Sequence, residues 1–387
     1  MLPSVGGGGE VRYFSHEYGE FLHELWGFFV HSTPRAPLEH WGPISRWMDE
    51  KFRVLSLEEN YAFVMDHFCQ SVHVDDFPNS TGLIVATRPR WLHLRYRDGC
   101  PQGDPSFAET GHIMLANGLG CLSPTQCLPK RWLSLLRENF VNRSKHLKLD
   151  DLFFPSDVCN IPFVETRGAH VLPYSSFRFG LYLDFLIERG SFRSGRGEVI
   201  MEIGAGWGGF AALVKGNFPA IRYIVLDIAT SSIFQMGLLH RLGYRRILSL
   251  GANATRQTVH DVLCCVQFDF LYISAKHIGL LPDDAVDVIV NFDSMIEMPL
   301  DSIELYLRHA ARVSRSFYHV NRYSLSKMLL EPRLHKYMLR SSSNWKREYS
   351  AVNSLQWRAP ASFSKVKNNA VNSSGERYIE EYYRRQS

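Results

Sequence analysis

The chain has 387 residues and a mass of 44.5 kDa, and 45% of its residues are hydrophobic, 13% aromatic and 21% charged. These proportions are typical of a folded protein with a sizeable core and exclude a disordered or fibrous chain. The formal net charge is only +4, so the composition does not favour a nucleic-acid-binding protein. The charge is uneven, however, because residues 321–387 contain 13 Lys and Arg against 5 Asp and Glu.

The N-terminal segment and the cysteines bear on the compartment. The chain begins Met-Leu-Pro-Ser-Val, followed by four glycines, and lacks the basic and apolar regions of a signal peptide. No run reaches the roughly 18 apolar residues of a membrane-spanning helix. The seven cysteines are irregularly spaced without a CxxC pair, which fits neither a disulfide scaffold nor a zinc knuckle. We therefore expect a cytoplasmic protein without a membrane span.

The first half of the chain is predicted to be mainly helical. After a flexible leader at 1–11, apolar residues recur at spacings of three and four in 12–72, and helical signals return at 106–118 and 129–147. A segment rich in proline and glycine follows at 155–173, and it precedes another helix at 174–190.

From residue 198 the pattern changes to short apolar runs that alternate with helical stretches. Such alternation predicts βαβ units and a mostly parallel sheet with helices on both faces. The predicted fold is thus an α/β, Rossmann-like core preceded by a mainly helical N-terminal domain. The predicted divisions are a leader at 1–11, the helical domain at 12–150, the core at 151–325 and a basic extension at 326–387.

The most informative segment is Glu202-Ile-Gly-Ala-Gly-Trp-Gly-Gly, which follows a predicted strand and opens a predicted helix. Glycines at 204 and 206 permit a tight turn and let a ligand lie against bare backbone. The spacing also satisfies GxGxxG, so a dinucleotide and S-adenosylmethionine are competing cofactors. Trp207, inside the loop, is predicted to cover the cofactor or to pack against the fold.

Two acids near this loop favour a nucleoside ligand that carries positive charge. Glu202 would face the pyrophosphate of a dinucleotide, whereas a carboxylate suits the sulfonium and ammonium of S-adenosylmethionine. Asp227 ends the next predicted strand, where an acid holds ribose hydroxyls in either cofactor class. The predicted cofactor-binding residues are Glu202, Gly204, Ala205, Gly206, Trp207, Asp227, Ile228 and Asn291.

These motifs resemble class I S-adenosylmethionine-dependent methyltransferases, through the glycine loop and Val225-Leu-Asp-Ile. Downstream, the segment Val286-Asp-Val-Ile-Val-Asn-Phe-Asp-Ser-Met-Ile-Glu-Met-Pro is similar to the sugar O-methyltransferase family. Phe317-Tyr-His-Val-Asn and the terminal Glu380-Glu-Tyr-Tyr-Arg-Arg resemble later segments of that family. Cys159-Asn-Ile-Pro matches its Gly-Asn-Pro turn imperfectly, because cysteine replaces glycine and an isoleucine intervenes.

The resemblance implies methyl transfer from S-adenosylmethionine to a hydroxyl of a sugar or glycan precursor. The alternatives are a methyltransferase for a non-sugar small molecule and an NAD-dependent oxidoreductase that uses the same glycine loop. A sugar hydroxyl is a weak acid, so a general base is expected beyond the carboxyl ends of the strands. The candidate catalytic residues are Glu297, Asp293, His277 and His319, with Glu297 the first choice.

Three further sequence features bear on ligands. Tyr174 and Arg178 lie one helical turn apart before the core and are candidate acceptor-binding residues, although packing explains them equally well. Asp293, Glu297 and His277 supply ligands of the kind that Mg²⁺ accepts, but no spacing requires a metal. The basic tail is a candidate surface for an acidic glycan or simply a solvated face, and the sequence predicts no nucleic-acid partner.

Overall fold

The computed structural model describes residues 11–14, 130–155, 163–191, 197–206, 208–292, 294–295, 298, 300–324, 345–352 and 376–386. The chain divides into one compact unit of Met1–Ala36, Arg189–Val352 and Tyr378–Ser387, and a second of Pro37–Glu188 and Asn353–Arg377. Most of the predicted N-terminal helical domain lies outside the described residues, so its boundaries stay a prediction. Within the predicted helical stretch 12–72, residues 12 and 13 belong instead to strand β1 (Val11–Tyr13).

In the second unit, two helices flank a small antiparallel sheet. Its elements are α1 (Lys130–Arg143), a 3₁₀ turn (Leu149–Leu152), β2 (Phe154–Pro155), β3 (Phe163–Arg167), β4 (His170–Pro173) and α2 (Tyr174–Glu188). The strands pair in the order β2-β4-β3, in the segment whose proline and glycine content predicted only an irregular connection. Both helices lie close to their predicted bounds.

Asp184 ties the two helices of this unit together. Its carboxylate accepts hydrogen bonds from the backbone N–H groups of Lys145, His146 and Leu147 and from the Ser144 hydroxyl. Burial alone raises the pKa of Asp184, but these donors outweigh burial and lower the pKa. Asp184 is therefore a buried acid whose hydrogen bonds are all structural.

The first unit is built on alternating strands and helices. Its elements after β1 are β5 (Val199–Ile203), α3 (Gly209–Asn217), β6 (Arg222–Leu226), α4 (Ala229–Arg241), β7 (Ile247–Leu250), α5 (Arg256–Cys265), β8 (Phe270–Ile273), a 3₁₀ turn (Ala275–Leu280), β9 (Val286–Phe292), α6 (Leu300–Val313), β10 (Ser314–Ser324), β11 (Trp345–Val352) and β12 (Glu376–Arg385). The strands form one nine-stranded sheet in the order β1-β7-β8-β6-β5-β9-β10-β12-β11. The predicted Rossmann-like α/β core is thus confirmed.

The central six strands, from β7 to β10, are parallel and buried on both faces, as their continuous apolar sequences predict. On one face, Val259 of α5 and Ile303 of α6 pack in a core cluster with Met201 and Ile289. On the other face, Phe210 of α3 packs edge-to-face against Phe292 of β9, with 4.7 Å between ring centroids. Helices therefore cover both faces of the parallel strands.

The strand order defines where a ligand is expected. From β5 the chain moves outward through β6 and β8, and it then returns to the other side of β5 as β9 and β10. The order reverses between β5 and β9, and ligands of open α/β sheets bind beyond the carboxyl ends of the strands at such a reversal. The order of β7 and β8 in the sheet differs from their order in the chain. In the chain, β7 and α5 precede β8, but in the sheet β7 lies farther from the centre than β8. The strand β1 pairs antiparallel with the outer edge of β7.

The amino edge of these strands is closed by ion pairs. Asp269, just before β8, accepts hydrogen bonds from Lys215 at 3.0 Å and from Arg246 at 2.8 Å. Lys215 is only 2% exposed and also donates to the carbonyls of Pro219 and Ile221. Burial raises the pKa of Asp269, but its two cationic donors outweigh this and lower it. The charges at this edge are thus mutually compensated.

Candidate functional site

The glycine loop leaves β5 at the point of strand-order reversal and adopts a left-handed backbone. Gly204, Gly206 and Gly208 have φ values of +69°, +59° and +82°, in a region that residues with a side chain rarely enter. The Gly204 N–H donates to the Leu226 carbonyl of β6 at 2.8 Å, and the Gly208 carbonyl accepts the N–H of Ala212 in α3 at 2.9 Å. The loop is therefore held at both ends, by β6 and by α3.

Gly204 is also a point of close approach between two segments. A Cβ atom there would lie 2.2 Å from the Ser294 hydroxyl oxygen and 3.3 Å from the Met298 methyl carbon. At Gly206 a Cβ atom would meet nothing within 4 Å, so one side of the turn is open. Gly204 is thus required for packing against the segment after β9, whereas Gly206 leaves bare backbone for a ligand.

Asp227 lies at the carboxyl end of β6 and binds the glycine loop through several donors. Its carboxylate accepts hydrogen bonds from the Ile228 N–H at 2.7 Å and from the Gln235 amide at 2.6 Å. The backbone N–H groups of Ala205 and Gly206 also donate to it. Gln235, from α4, donates in addition to the Gly206 carbonyl at 2.8 Å, so one side chain joins the acid to the loop.

Burial dominates the electrostatics of Asp227. It raises the pKa of this carboxyl to about 6, although the hydrogen bonds from Gln235 and from the loop oppose the shift. No Lys, Arg or His of the described residues forms an ion pair with Asp227. A ligand that donates hydrogen bonds or carries positive charge would therefore stabilise the ionised form.

Glu202 is buried, unlike the half-buried Asp227, and it too has no cationic partner among the described residues. It is 2% exposed on β5 and accepts one hydrogen bond, from the Tyr223 hydroxyl at 2.7 Å. Burial raises its pKa to about 8, and the negative charge of Asp227 contributes to the rise. Glu202 and Asp227 therefore form an acidic pair beside the glycine loop.

Asn291, at the end of β9, connects the strand-order reversal to its neighbours. Its amide nitrogen donates to the Ile203 carbonyl at 2.7 Å and to the Ser294 hydroxyl at 2.5 Å. Its amide oxygen accepts from the amide of Asn321 on β10 at 2.8 Å. Asn291 thus fixes the backbone immediately before Gly204 and belongs to the site geometrically.

His319 is buried on β10, beside Asn291 in the register of the sheet. Its Nε2 lies 3.3 Å from a carboxylate oxygen of Glu381 on β12, and its Nδ1 lies 3.4 Å from the Asn321 amide nitrogen. Burial raises the pKa of Glu381, but His319, Tyr383 and Arg347 outweigh this and hold it far below its usual range. Both ring nitrogens of His319 thus face protein groups, but Nε2 is not aligned for a hydrogen bond to Glu381, and the role of His319 as a general base stays a prediction.

His277 has a structural environment. Its Nδ1 accepts the Ser274 N–H at 3.2 Å, and its Nε2 lies 3.0 Å from the Gly251 carbonyl, to which it must donate. Burial, with a smaller contribution from the charge of Lys276, lowers its pKa to about 4. Because both nitrogens are committed in a neutral ring, we remove His277 from the candidate bases.

Several predicted site residues lie elsewhere. Trp207, Asp293 and Glu297 are outside the described residues, so the roles proposed for them stay predictions. Arg178 belongs to α2 of the second unit, where its guanidinium lies over the Phe179 ring at 4.9 Å, and Tyr174 begins the same helix. Their predicted role in acceptor binding likewise stays a prediction.

The described part of the chain contains neither a metal-ligand cluster nor a membrane-spanning helix. There, no group of three or more His, Cys, Asp or Glu side chains is arranged to hold a metal ion. Over the same residues, every helix is too short or too polar to cross a lipid bilayer.

Three important residues of the site were not predicted from the sequence. Gln235 lies inside α4, whose sequence has an ordinary helical pattern. The one available signal was its spacing of eight residues after Asp227, which is compatible with a side chain that reaches back to the end of β6. Asn321 and Glu381 were quoted only as parts of motifs, without a role. Their contacts join segments distant in sequence, and such contacts leave no local signal.

No protein-family model matches the chain, and no curated protein matches its sequence. Solved structures do match in the arrangement of their backbones. One is geranyl diphosphate C-methyltransferase from Streptomyces coelicolor A3(2), with 8% identity over 55% of this chain and 78% of that one and a TM-score of 0.34. Another is phosphoethanolamine N-methyltransferase 2 from Haemonchus contortus, with 9% identity over 52% of each chain and a TM-score of 0.34.

Likeness at this level does not identify a function. The identities and TM-scores are too low for residues to be transferred from these structures to this chain. The features that point to a function are therefore the glycine loop, the acids Glu202 and Asp227 and the strand ends around them.

Proposed function

We propose that the protein is an S-adenosylmethionine-dependent methyltransferase that methylates a hydroxyl group of a sugar or glycan precursor. One observation carries the cofactor part of this proposal: the buried Glu202 and the half-buried Asp227 lie beside an open, left-handed glycine turn, and no cation of the described residues pairs with either. Unpaired buried acids are costly unless a partner arrives. A nucleoside with a sulfonium and an ammonium group supplies that partner, together with hydroxyl donors.

The same geometry argues against a dinucleotide. A pyrophosphate placed at the start of α3 would approach two carboxyl groups, and charge repulsion would oppose its binding. The acids instead fit a cationic ligand, whose arrival would lower their raised pKa values towards the ordinary range.

The residues that would hold the cofactor follow from the contacts described above. Asp227, held by Gln235 and Ile228, would accept the ribose hydroxyls, and the open side of Gly206 would admit the ligand against the backbone. When bound, S-adenosylmethionine supplies an electrophilic methyl group on its sulfonium. Glu202 would contribute a negative field beneath the loop.

The acceptor is assigned from the resemblance of the segment after β9 to sugar O-methyltransferases. The segment follows Asn291 at the carboxyl edge. There the acceptor oxygen has to be aligned with the methyl group and deprotonated. With His277 committed to protein contacts and both ring nitrogens of His319 facing protein groups, Glu297 is the base that we propose, with Asp293 beside it in sequence. No metal is needed for this assignment.

Calorimetric titration with S-adenosylmethionine and S-adenosylhomocysteine tests the cofactor. Binding of both, with no response to NADH in a fluorescence titration, is the expected result. Absence of heat with both adenosyl ligands, or tight binding of NADH, would show that the proposal is wrong.

Two variants separate the roles assigned to the acids. Asp227→Ala is expected to weaken binding of S-adenosylhomocysteine, because the ribose loses its acceptor. Glu297→Gln is expected to retain that affinity and to lower methyl transfer from labelled cofactor to a panel of sugar acceptors. An equal loss of cofactor affinity in both variants would contradict the assignment.

A further inference from the structure

Asn321 carries a buried acceptor that the fold leaves unused. The residue is 2% exposed near the end of β10, and its amide oxygen has no hydrogen-bond partner in the described part of the chain, although its amide nitrogen is engaged. A buried carbonyl without a donor destabilises a fold, and native proteins seldom retain one without a reason. The direction in which this oxygen points is therefore informative.

The orientation of the Asn321 amide is fixed by a chain of hydrogen bonds that starts at a backbone carbonyl. The Ile203 carbonyl can only accept, so the group of Asn291 that faces it must be its NH₂. The oxygen of Asn291 then faces Asn321 and requires a donor, which only the NH₂ group of Asn321 supplies. The oxygen of Asn321 is consequently directed away from Asn291 and cannot exchange places with the nitrogen.

The other neighbours of Asn321 reinforce this orientation. Its NH₂ group also lies 3.4 Å from Nδ1 of His319, which acts as an acceptor when the proton is on Nε2 facing Glu381. Glu381 is in turn held by Arg347 at 2.9 Å and by Ser350 at 3.0 Å. The proximity of His319 to Glu381 thus favours the same orientation of the Asn321 amide, although His319 Nε2 is not aligned for a hydrogen bond to the carboxylate.

The position of Asn321 in the sheet indicates which ligand group it meets. Val320 is the last residue of β10 in register with β9, so Asn321 lies one residue beyond the pairing, at the carboxyl edge. Asp227 lies at the same edge three strands away, a separation of about 14 Å at ordinary strand spacing. A ligand whose ribose is held by Asp227 and which crosses the glycine turn therefore directs its opposite end towards β9 and β10.

We propose that the amide oxygen of Asn321 accepts a hydrogen bond from the α-ammonium group of the cofactor's methionine part. The proposal rests on the function proposed above. An amide oxygen only accepts, which excludes the methionine carboxylate as its partner, whereas an ammonium offers three N–H donors. Because Asn321 is only 2% exposed, the bond would form away from water, where a charged donor binds strongly.

The test compares two ligands that differ only in the part that Asn321 would bind. S-adenosylhomocysteine carries the amino-acid group, and 5′-methylthioadenosine lacks it while keeping the nucleoside and the sulfur. In Asn321→Leu, calorimetry is expected to show a loss of affinity for S-adenosylhomocysteine of about 10- to 100-fold, the range for a hydrogen bond to a charged group. The affinity for 5′-methylthioadenosine is expected to stay within about twofold, which also reports that the variant is folded.

Controls make each outcome decisive. Asn217→Leu makes the same substitution at the far end of α3, at the amino edge of the sheet, and is expected to change neither affinity. If Asn321→Leu does not fold, Asn321→Ala adds no bulk and is expected to give the same ratio of affinities. Equal affinity losses for both ligands, or none, would overturn the role of Asn321 but leave the proposed function intact. Failure of the unaltered protein to bind either ligand would overturn the proposed function itself.

Discussion

At the amino edge of the parallel strands, Asp269 is held between Lys215 and Arg246, whereas at the carboxyl edge Glu202 and Asp227 have no cationic partner among the described residues. All three acids are largely buried in the same sheet. The pKa of Asp269 is lowered by its cations, while burial raises those of Glu202 and Asp227 to about 8 and about 6. The acid at the amino edge is thus paired with two cations, whereas the acids at the carboxyl edge have none among the described residues.

A cavity at the amino edge is not by itself evidence of a ligand site. A cleft of about 810 Å³ opens at the amino edge, lined by Arg222, Arg315, Arg384 and Arg385 among others. Yet Arg315, Arg384 and Arg385 each pair with a carboxylate, of Asp287, Glu348 and Asp284 respectively. Charges that compensate one another leave little for a ligand to bind, so uncompensated charge is the more informative signal.

We expect the largest loss of stability from a variant that removes an ion pair at the amino edge of the sheet. Lys215→Met leaves Asp269, and the two backbone carbonyls that Lys215 also contacts, without their buried cationic donor. We expect the free energy of unfolding to fall by about 3 kcal/mol. Chemical denaturation followed by circular dichroism measures this loss. At the opposite edge, Glu202→Gln keeps an acceptor for Tyr223 and is expected to leave stability at pH 8 unchanged or higher. Equal destabilisation by both variants would refute the contrast between the edges.

The next effect concerns the glycine turn. Both Gly204→Ala and Gly206→Ala force a side chain into left-handed backbone, at a cost of about 1–2 kcal/mol each. Only Gly204→Ala also drives a methyl group into Ser294, so we expect it to lower the melting temperature more than Gly206→Ala. Gly206→Ala is instead expected to weaken cofactor binding, because its methyl group occupies the open side of the turn. The reverse ranking of melting temperatures would mean that the turn does not pack as described.

The smallest effect is the pH dependence of the carboxyl edge. The folded protein holds the proton on Glu202 up to a pKa of about 8, against 4.5 for an ordinary glutamate, so stability from this residue falls as the pH rises between those values. A cationic ligand favours the ionised acid. Its affinity is therefore expected to rise between pH 6 and pH 8, by at most about tenfold per pH unit for one linked proton.

Glu202→Gln supplies the control for this pH dependence. It removes the titrating group, so both the fall in stability and most of the rise in S-adenosylmethionine affinity are expected to flatten. Titrations at several pH values in buffers of different ionisation heat would measure the proton released on binding. An unchanged pH profile in Glu202→Gln would assign the proton to another group.

The elements with local signals were the ones that the sequence predicted. Apolar runs separated by helical periodicity located the parallel strands, and three glycines after β5 located the left-handed turn. Asp227 was found because an acid at a strand end is a local feature. The parallel strands, the glycine turn and the position of Asp227 at a strand end could therefore be predicted from neighbouring residues alone.

Features set by distant contacts could not be predicted in the same way. The runs that became β7 and β8 were both recognised, but their exchanged order in the sheet depends on packing across the whole core. The commitment of His277 to the Gly251 carbonyl removed a residue that chemistry alone favoured as a base. Asn321 gained its orientation from Ile203, more than a hundred residues earlier, through a partner on a third strand.

The exchanged order of β7 and β8 has a consequence for the growing chain. The strand β7 is the outermost of the parallel strands and is buried, and among the described residues its outer edge is paired by the short strand β1, through Val11 with Leu250. An unpaired edge strand invites association with other chains. Val11 leaves the ribosome long before Leu250, so the protective strand has to wait through the synthesis of more than 230 residues, including β5 and β6, before it finds the edge that it shields.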